Sequence, residues 1–421
     1  MRRVLLVEPP FPIPAKSKNH KDFLPIGLLK IAALLRRRGA EVRLVRGRGD
    51  DPGTVAQLQA FDPDQVWVTS LFTYWASFVR DTVQHYRTTL PNAKTVVGGI
   101  YASLLPKEQV QQYVGCDYVH QGILPEAEAC FPAYDLIDGA NPHPLDYQIV
   151  HASRGCARKC RFCGTWRIEP QFVPARTVKD MIRYRKVVFY DNNFLMNPFV
   201  ESILRELIEL RHQGKLTWCE SQSGFDGRVL LHKPHLARMI KEAGFRYPRI
   251  AWDWGLDDAP NIEKEVDLLV RAGYRPKEVY VFVLFNWDIP FGEMELKRVK
   301  CWEWKVQVAD CRFRPLNQLS DNYNPLDETQ TTGDYYIHYQ AGWTDALVKQ
   351  FRRNIRQQNI CVRHGFPFYS KAFEKKKLGK DVRRAVKAAP SVRAKRQILD
   401  REEADYWFPD QPRYPLSAPS S

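Results

Sequence analysis

The sequence predicts an α/β protein in which a doubly wound parallel sheet is followed by a second series of strand–helix units and a basic, helical C-terminal segment. Short apolar runs alternate with segments of helical periodicity from residue 4 to about residue 330, as in parallel βαβ units. Glycines close several of the helical segments. Of the 421 residues, 44% are hydrophobic and 26% are charged, which is ordinary for a globular chain of two or three domains.

Five strands alternate with helices in the predicted N-terminal domain. The strands are expected at 4–7, 41–45, 66–71, 95–97 and 117–120, and the helices at 28–35, 55–61, 78–86 and 107–114. Ser70 lies near the end of the third strand, and Gly98 and Gly99 end the fourth. Ligands of such sheets bind at the carboxyl ends of the strands, and glycine there lets a flat ligand approach the backbone. We therefore expect a ligand at this edge.

Six further strand–helix units are predicted after residue 145. Their strands are expected at 147–152, 187–190, 216–222, 249–252, 279–285 and 306–313. In barrels of such units the chemistry belongs to the carboxyl ends of the strands. The polar residues at those ends are Asp191, Asn192, Glu220, Gln222, Asp253 and Asn286. Each of them could instead cap the helix that follows.

Three cysteines, Cys156, Cys160 and Cys163, stand at CxxxCxxC spacing directly after the first of these strands. Three thiolates on one loop can face a common centre, as an iron–sulfur cluster requires. A closed structural site takes four protein ligands, but the neighbouring cysteines in the chain, Cys130 and Cys219, are distant. A site with three ligands leaves one metal position open for a substrate or cofactor. The alternatives are a zinc knuckle completed by a remote residue, or three buried thiols.

With Phe162 directly before its third cysteine, this motif resembles that of the radical S-adenosylmethionine superfamily. The resemblance implies a [4Fe–4S] cluster whose unique iron chelates S-adenosylmethionine, and it identifies the six units as a partial (β/α)6 barrel. It also implies which residues contact S-adenosylmethionine: Phe162 on the loop, Asp191 and Asn192 at the amino group, and Glu220, Gln222 and Asp253 at the ribose. The Gly-Gly-Glu pattern that usually follows the second strand is absent.

The N-terminal domain resembles the cobalamin-binding domain that is fused to many of these enzymes. The resemblance rests on the order of elements, on the helix start Pro25-Ile26-Gly27-Leu28 and on the turn Val96-Val97-Gly98-Gly99. It implies cobalamin at Ser70, Gly98 and Gly99. The Asp-x-His-x-x-Gly motif of other cobalamin proteins is absent, because His120 stands at a different spacing. The alternative is a Rossmann-like domain that only packs against the barrel.

Three regions follow from these patterns: a cobalamin-binding-type domain at 1–140, a radical barrel at 141–330 and a helical basic extension at 331–421. The implied activity is reductive cleavage of S-adenosylmethionine to a 5′-deoxyadenosyl radical. With cobalamin, methyl transfer to an unactivated carbon of a small molecule or peptide is expected. Without cobalamin, the chain would catalyse a rearrangement, cyclisation or oxidation. A flavodoxin or ferredoxin is the expected electron donor.

Two other hypotheses involve nucleic acid. One is a radical enzyme that acts on RNA. Methylthiotransferases of this kind have a similar order of domains but carry three more cluster cysteines, and here only Cys116 and Cys130 precede the motif. A non-catalytic zinc or iron–sulfur module could bind nucleic acid through residues 371–396, which hold eleven Lys or Arg against two acidic residues. The net charge of +15 permits an anionic partner.

The sequence predicts a cytosolic protein. No apolar run approaches the roughly 18 residues that span a bilayer, and the apolar N-terminus is too short for a signal peptide. Nine cysteines, three of them clustered, favour reduced thiols and metal binding over a disulfide framework.

Overall fold

The computed structural model describes residues 2–12, 24–138, 145–321 and 335–365, with scattered positions between 384 and 398. They group into two compact units, Met1–Ser223 with Pro315–Tyr336, and Gly224–Arg314 with Ile337–Ser421. The first unit holds both the N-terminal sheet and the cysteine motif. The predicted domain boundaries near residues 140 and 330 remain predictions, and most of the basic segment 371–396 lies outside the described residues.

The predicted N-terminal doubly wound sheet is confirmed as five parallel strands in the order β2-β1-β3-β4-β5. The strands are β1 (Arg3–Glu8), β2 (Glu41–Arg46), β3 (Gln65–Ser70), β4 (Lys94–Gly99) and β5 (Tyr118–Val119). The helices are α1 (Ile26–Arg37), α2 (Pro52–Phe61), α3 (Ala76–Thr89), α4 (Ile100–Leu104), α5 (Lys107–Val114), α6 (Pro125–Glu128) and α7 (Asp135–Asp138). The strand order reverses between β1 and β3, and ligands of open α/β sheets bind at such a switch point.

Helices cover both faces of this sheet, and β1 is accordingly apolar at successive positions. Leu5 and Val7 belong to one buried core with residues of α2, α3 and α5. Val4 and Leu6 belong to a second core with residues of α1. A parallel strand that is buried on both faces reads as a continuous apolar run, which is how the sequence predicted β1.

The first unit contains a second parallel sheet and a short antiparallel pair. Its strands are β6 (Gln148–Val150), β7 (Ser153–Arg154), β8 (Val173–Pro174), β9 (Lys186–Phe189) and β10 (Trp218–Ser221), and its helices are α8 (Thr165–Ile168) and α9 (Val200–His212). Strands β10, β9 and β6 form the parallel sheet in that order. The pair β7–β8 was not predicted, and the cysteine motif lies in the segment that joins its two strands.

The second unit contains a three-stranded parallel sheet in the order β11-β12-β13. The strands are β11 (Arg249–Trp252), β12 (Tyr280–Phe285) and β13 (Gln307–Arg312), and the helices are α10 (Gly227–His232), α11 (His235–Glu242), α12 (Ala259–Arg271), α13 (Phe291–Glu303) and α14 (Asp345–His364). The six strands predicted after residue 145 are all present, but they are described as two sheets of three, and the partial barrel remains a prediction. None of the described helices is both long and apolar enough to cross a membrane.

Candidate cofactor site

The cysteine motif lies on a loop whose first residue is fixed by its backbone conformation. Gly155 has a φ of +75°, and a Cβ at this position would stand 2.2 Å from the carbonyl oxygen of Gln171. Only glycine combines this φ with such a close approach of two chain segments. The Gly155 N–H donates to Glu169 Oε2 at 2.6 Å, so the loop is tied to the end of α8 one residue before Cys156.

The three thiols are half-buried, and none of them forms a disulfide. The Arg158 N–H lies 3.4 Å from Cys156 Sγ, and the Cys163 N–H donates to the carbonyl of Cys160 at 3.1 Å. Within the described residues, no set of three or more His, Cys, Asp or Glu side chains is gathered tightly enough to hold a metal ion. The donor set fits a cluster in its chemistry, since it offers three soft sulfur ligands on one partly exposed loop.

Asn192 connects the end of β9 to this loop. Its Oδ1 accepts from the Thr165 hydroxyl at 3.2 Å, and its Nδ2 donates to Glu169 Oε2 at 3.3 Å. The Thr165 hydroxyl also lies 3.4 Å from Cys163 Sγ. The structure therefore brings Asn192 beside the cysteine loop. The sequence singled out neither Thr165 nor Glu169, although both lie within six residues of the motif.

Asp191 has a different environment from its neighbour Asn192. It is fully buried, and its two carboxylate oxygens accept from the Ala152 N–H at 3.0 Å and the Ser153 hydroxyl at 2.6 Å. Burial raises the pKa of this carboxyl to about 6, against the opposing effect of these hydrogen bonds. Asp191 thus clamps the end of β6 to the end of β9, and its predicted contact with S-adenosylmethionine remains a prediction.

The other predicted contacts of S-adenosylmethionine are distributed over both units. Phe162 is half-buried on the cysteine loop, Glu220 is buried in β10, and Gln222 follows β10 with its N–H bonded to the Phe189 carbonyl. Asp253 belongs to the second unit. Their predicted roles stay predictions.

Asp253 lies beside a buried lysine. Lys297 of α13 is fully buried, and its Nζ donates to the carbonyls of Trp252 at 2.7 Å and Trp254 at 2.8 Å, on either side of Asp253. Burial lowers the pKa of Lys297 to about 8 and raises that of Asp253 to about 6, and the attraction between the two charges opposes both shifts. Lys297 therefore fixes the backbone that carries Asp253.

Asn286 directly follows β12, and two hydrogen bonds hold its side chain. Its Nδ2 donates to the Phe313 carbonyl at 3.2 Å, and its Oδ1 accepts from the His338 N–H at 2.9 Å. The residue is fully buried at a φ of +58°. These two bonds hold the turn after β12.

The two glycines at the carboxyl edge of the N-terminal sheet, Gly98 and Gly99, have different surroundings. A Cβ at Gly99, whose φ is +101°, would stand 2.2 Å from the Ser70 carbonyl oxygen. Gly99 is thus required by the contact between β3 and β4, whether or not a ligand approaches. At Gly98 a Cβ would meet only His120, at 3.8 Å. The buried Ser70 hydroxyl donates to the Gly98 carbonyl at 2.7 Å and accepts from the Ala102 N–H at 3.1 Å, which ties β3 to the start of α4.

Aromatic side chains gather where β1 and β3 end, at the switch point of the sheet. The rings of Phe11 and Trp75 stack with centroids 5.1 Å apart, and Phe72 stacks on Tyr74 at 5.0 Å. Phe72 is 38% exposed, whereas Trp75 is buried and its Nε1 has no hydrogen-bond partner among the described residues. These rings lie in or next to the strand ends, residues 8–11 and 70–74, at which the sequence predicted a ligand.

The cysteine loop packs directly against this edge of the sheet. A Cβ at Gly164, which closes the loop, would lie 2.8 Å from Leu104 Cδ2, and Leu104 ends the short helix α4 that begins after Gly99. The turn after β4 and the cysteine loop are therefore neighbours within the first unit.

Comparisons with known proteins identify one family and one similar fold. Residues 16–133 match the B12 binding domain family. The fold is similar to that of the cobalamin-dependent S-adenosylmethionine radical enzyme OxsB with aqua-cobalamin and S-adenosylmethionine bound, at a TM-score of 0.50 and 12% identity, over 72% of this chain and 52% of that one. This chain thus spans about half the length of that enzyme.

Two further solved structures show weaker similarity. Apo, SeMet-labelled OxsB matches with a TM-score of 0.47 and 11% identity, over 96% of this chain and 71% of that one. A cobalamin-binding protein from Desulfitobacterium hafniense DCB-2 matches with a TM-score of 0.21 and 18% identity, over 30% of this chain and 54% of that one. No curated protein matches the sequence. The chain therefore contains a region that matches the B12 binding domain and has a fold similar to that of a cobalamin-dependent S-adenosylmethionine radical enzyme, as its sequence predicted.

Proposed function

We propose that this protein binds cobalamin, a [4Fe–4S] cluster and S-adenosylmethionine, and that it methylates an unactivated carbon of a small molecule or peptide. The observation that carries the proposal is the contact between Gly164 of the cysteine loop and Leu104 of α4, and Leu104 lies in the region that matches the B12 binding domain. Two cofactors held on neighbouring segments favour a second reaction step that is effectively unimolecular.

The residues of the cysteine loop would bind and orient the cluster. Cys156, Cys160 and Cys163 supply three thiolates, while the Arg158 N–H and the Thr165 hydroxyl lie beside two of the sulfurs. When bound, the cluster supplies the electron that cleaves S-adenosylmethionine, and cobalamin supplies the methyl group. An electron donor such as a flavodoxin or ferredoxin belongs to the same proposal.

The aromatic residues at the switch point would hold the flat face of cobalamin and exclude water. Phe72 offers an exposed ring, and the buried Trp75 N–H is a donor that a ligand acceptor could satisfy. Gly98 leaves the edge of the sheet open to a bulky group, since a side chain there has room.

The test is anaerobic preparation with cobalamin in excess, followed by iron analysis, corrinoid absorption, electron paramagnetic resonance and an assay for 5′-deoxyadenosine. We expect one cluster and bound corrinoid in the unaltered protein. Changing any of the three cysteines to alanine should abolish iron binding and S-adenosylmethionine cleavage but leave the corrinoid. A triple alanine variant that kept the cluster spectrum would refute the cluster assignment.

The cobalamin assignment has its own variants. Phe72→Ala and Gly98→Leu should lower corrinoid content several-fold while the iron content is retained. Tyr118→Ala is the matched control, because it removes a similarly exposed aromatic ring from the edge strand β5. An active protein with no corrinoid would refute methyl transfer by this route and would favour a cobalamin-independent radical reaction.

A further inference from the structure

A line of four charged side chains runs from the B12-matching region to the cysteine loop, all within the first unit. Its members are Lys30, Glu128, Arg154 and Glu169. It begins at Lys30 of α1, which is buried and whose Nζ lies 2.8 Å from Glu128 Oε2 of α6. Burial lowers the pKa of Lys30, and the Glu128 charge opposes that shift. A lysine this deeply buried is costly without a carboxylate partner, so the pair holds α1 and α6 together.

Lys30 also reaches the end of β6. Its Nζ lies 3.3 Å from Nδ1 of His151, and since the ammonium group only donates, Nδ1 is the nitrogen that carries no proton. Burial and the neighbouring Lys30 and Arg154 charges lower the pKa of His151 well below its ordinary value, so the ring is neutral.

Arg154 of β7 continues the line toward the cysteines. Its Nε lies 3.7 Å from Glu128 Oε2, an ion pair longer than a hydrogen bond, and its second guanidinium nitrogen donates to Glu169 Oε1 at 2.6 Å. Arg154 therefore stands between a carboxylate of the B12-matching region and a carboxylate beside the cysteine loop.

Both carboxylate oxygens of Glu169 accept hydrogen bonds from residues at the cysteine loop. Oε1 takes the Arg154 bond, while Oε2 accepts from the Gly155 N–H at 2.6 Å and from Asn192 at 3.3 Å. One carboxylate thus fixes the strand that enters the loop, the backbone next to Cys156 and, through Asn192, the Thr165 hydroxyl beside Cys163. Charge-assisted bonds of this kind are shorter and stronger than neutral ones.

We propose that Glu169 is a positioning residue for the cysteine ligands, and that the line from Lys30 through Glu128 and Arg154 makes the loop sensitive to the B12-matching region. The part of this inference that concerns a cluster rests on the proposed function. The part that concerns the positions of the three thiols does not. Glu169 itself is not a ligand here, because its two oxygens are occupied by Arg154, Gly155 and Asn192.

The first experiment measures the loop without any cofactor. In Glu169→Ala, amide hydrogen exchange at Gly155 and the alkylation rates of Cys156, Cys160 and Cys163 should rise at least tenfold, with the circular dichroism spectrum retained. Glu206→Ala is the matched control, since Glu206 of α9 also accepts a backbone N–H, that of Val178 at 3.0 Å, but has no hydrogen bond to the cysteine loop among those described. Unchanged exchange and alkylation in Glu169→Ala would overturn the proposal.

The second experiment uses the reconstituted protein. Glu169→Gln keeps an oxygen for the Gly155 N–H but loses the charge that binds Arg154, so it should assemble the cluster with an altered paramagnetic resonance line shape and release iron faster. Should the unaltered protein assemble no cluster, the proposed function fails, whereas the exchange and alkylation results still decide the role of Glu169. A Glu169→Gln cluster identical to the wild-type one would overturn the positioning role.

The third experiment tests the connection to the B12-matching region. Glu128→Gln should raise exchange at Gly155 in the same direction as Glu169→Ala, by a smaller factor. Glu126→Gln on the same helix is the control, because Glu126 forms an exposed pair with Arg38 at 3.6 Å and does not belong to the line. Equal exchange in the two glutamine variants would overturn the connection.

Discussion

Two arginine–glutamate pairs, one in each unit, show how differently the same chemistry is used in this protein. In the second unit, Arg298 and Glu295 of α13 are almost fully buried, with two-pronged contacts of 2.7 to 3.0 Å. In the first unit, Arg154 and Glu169 are partly exposed and meet at 2.6 Å beside the cysteine loop.

The partners of each pair explain the difference. Arg298 also donates to Gln358 at 2.8 Å, and Glu295 accepts from Asn354 at 3.1 Å, so a closed polar network joins α13 to α14. Glu169 instead accepts from a loop backbone N–H. A closed buried network specifies packing, whereas an open one holds a loop in place while leaving its neighbouring thiols accessible. The first pair is expected to govern stability and the second to govern the site.

The largest expected effect is at the buried pair. Arg298→Met leaves the Glu295 carboxylate buried without its cation, which typically costs about 3–5 kcal/mol of unfolding free energy. Urea denaturation should show this loss, and adding Glu295→Met should recover part of it, because two apolar groups replace the whole pair. A loss below about 1 kcal/mol would contradict the structural role.

Asp191 is buried like Glu295, but its hydrogen-bond partners are neutral. Its folded-state pKa of about 6 lies above the unfolded value, so its charged form destabilises the fold as the pH rises from about 4 to 6. Relative to Asp191→Asn, the wild type should lose about 2 kcal/mol of unfolding free energy across that range. A difference between the two proteins that does not change with pH would contradict this environment.

The stability cost of replacing Gly155 can be compared with that of replacing Gly39, a glycine that has space around it. Gly39 has a similar φ of +82°, but a Cβ there would meet no described atom within 4 Å, so Gly39→Ala carries only the conformational cost of about 1–2 kcal/mol. Gly155→Ala adds the contact with the Gln171 carbonyl and should cost about 1–3 kcal/mol more. Equal midpoints for the two variants in thermal unfolding would argue against a tightly held loop base.

The smallest expected effect on stability is at Arg154. Because its pair with Glu169 is partly exposed, Arg154→Met should lower the unfolding free energy by about 1 kcal/mol or less. The same variant should nevertheless raise the alkylation rates of the cysteines, in contrast to Arg298→Met, when both are compared at conditions where each is folded. A large loss of stability in Arg154→Met would remove the distinction between the two pairs.

Local patterns in the sequence were sufficient to predict the five strands of the first series, six strands of the second and the cysteine motif. Apolar runs such as residues 4–7 and 279–285 need burial on both faces, and three cysteines within eight residues must share a loop. These features depend on local pattern, which the chain carries in its order of residues.

The contacts of the polar residues, in contrast, depend on how distant segments of the chain fold together. Asp191 and Asn192 are adjacent in sequence, yet one is buried against Ala152 and Ser153 and the other reaches the cysteine loop. Glu169 and Arg154 carry no motif, and their pairing depends on β7 and β8 returning to one place across the loop. For Gly99 the sequence predicted an approach for a ligand, which stays a prediction, and the structure adds that its φ and its distance to Ser70 follow from the pairing of β3 with β4. Hydrogen-bond partners are chosen by distance and direction in space, and a side chain's identity fixes neither.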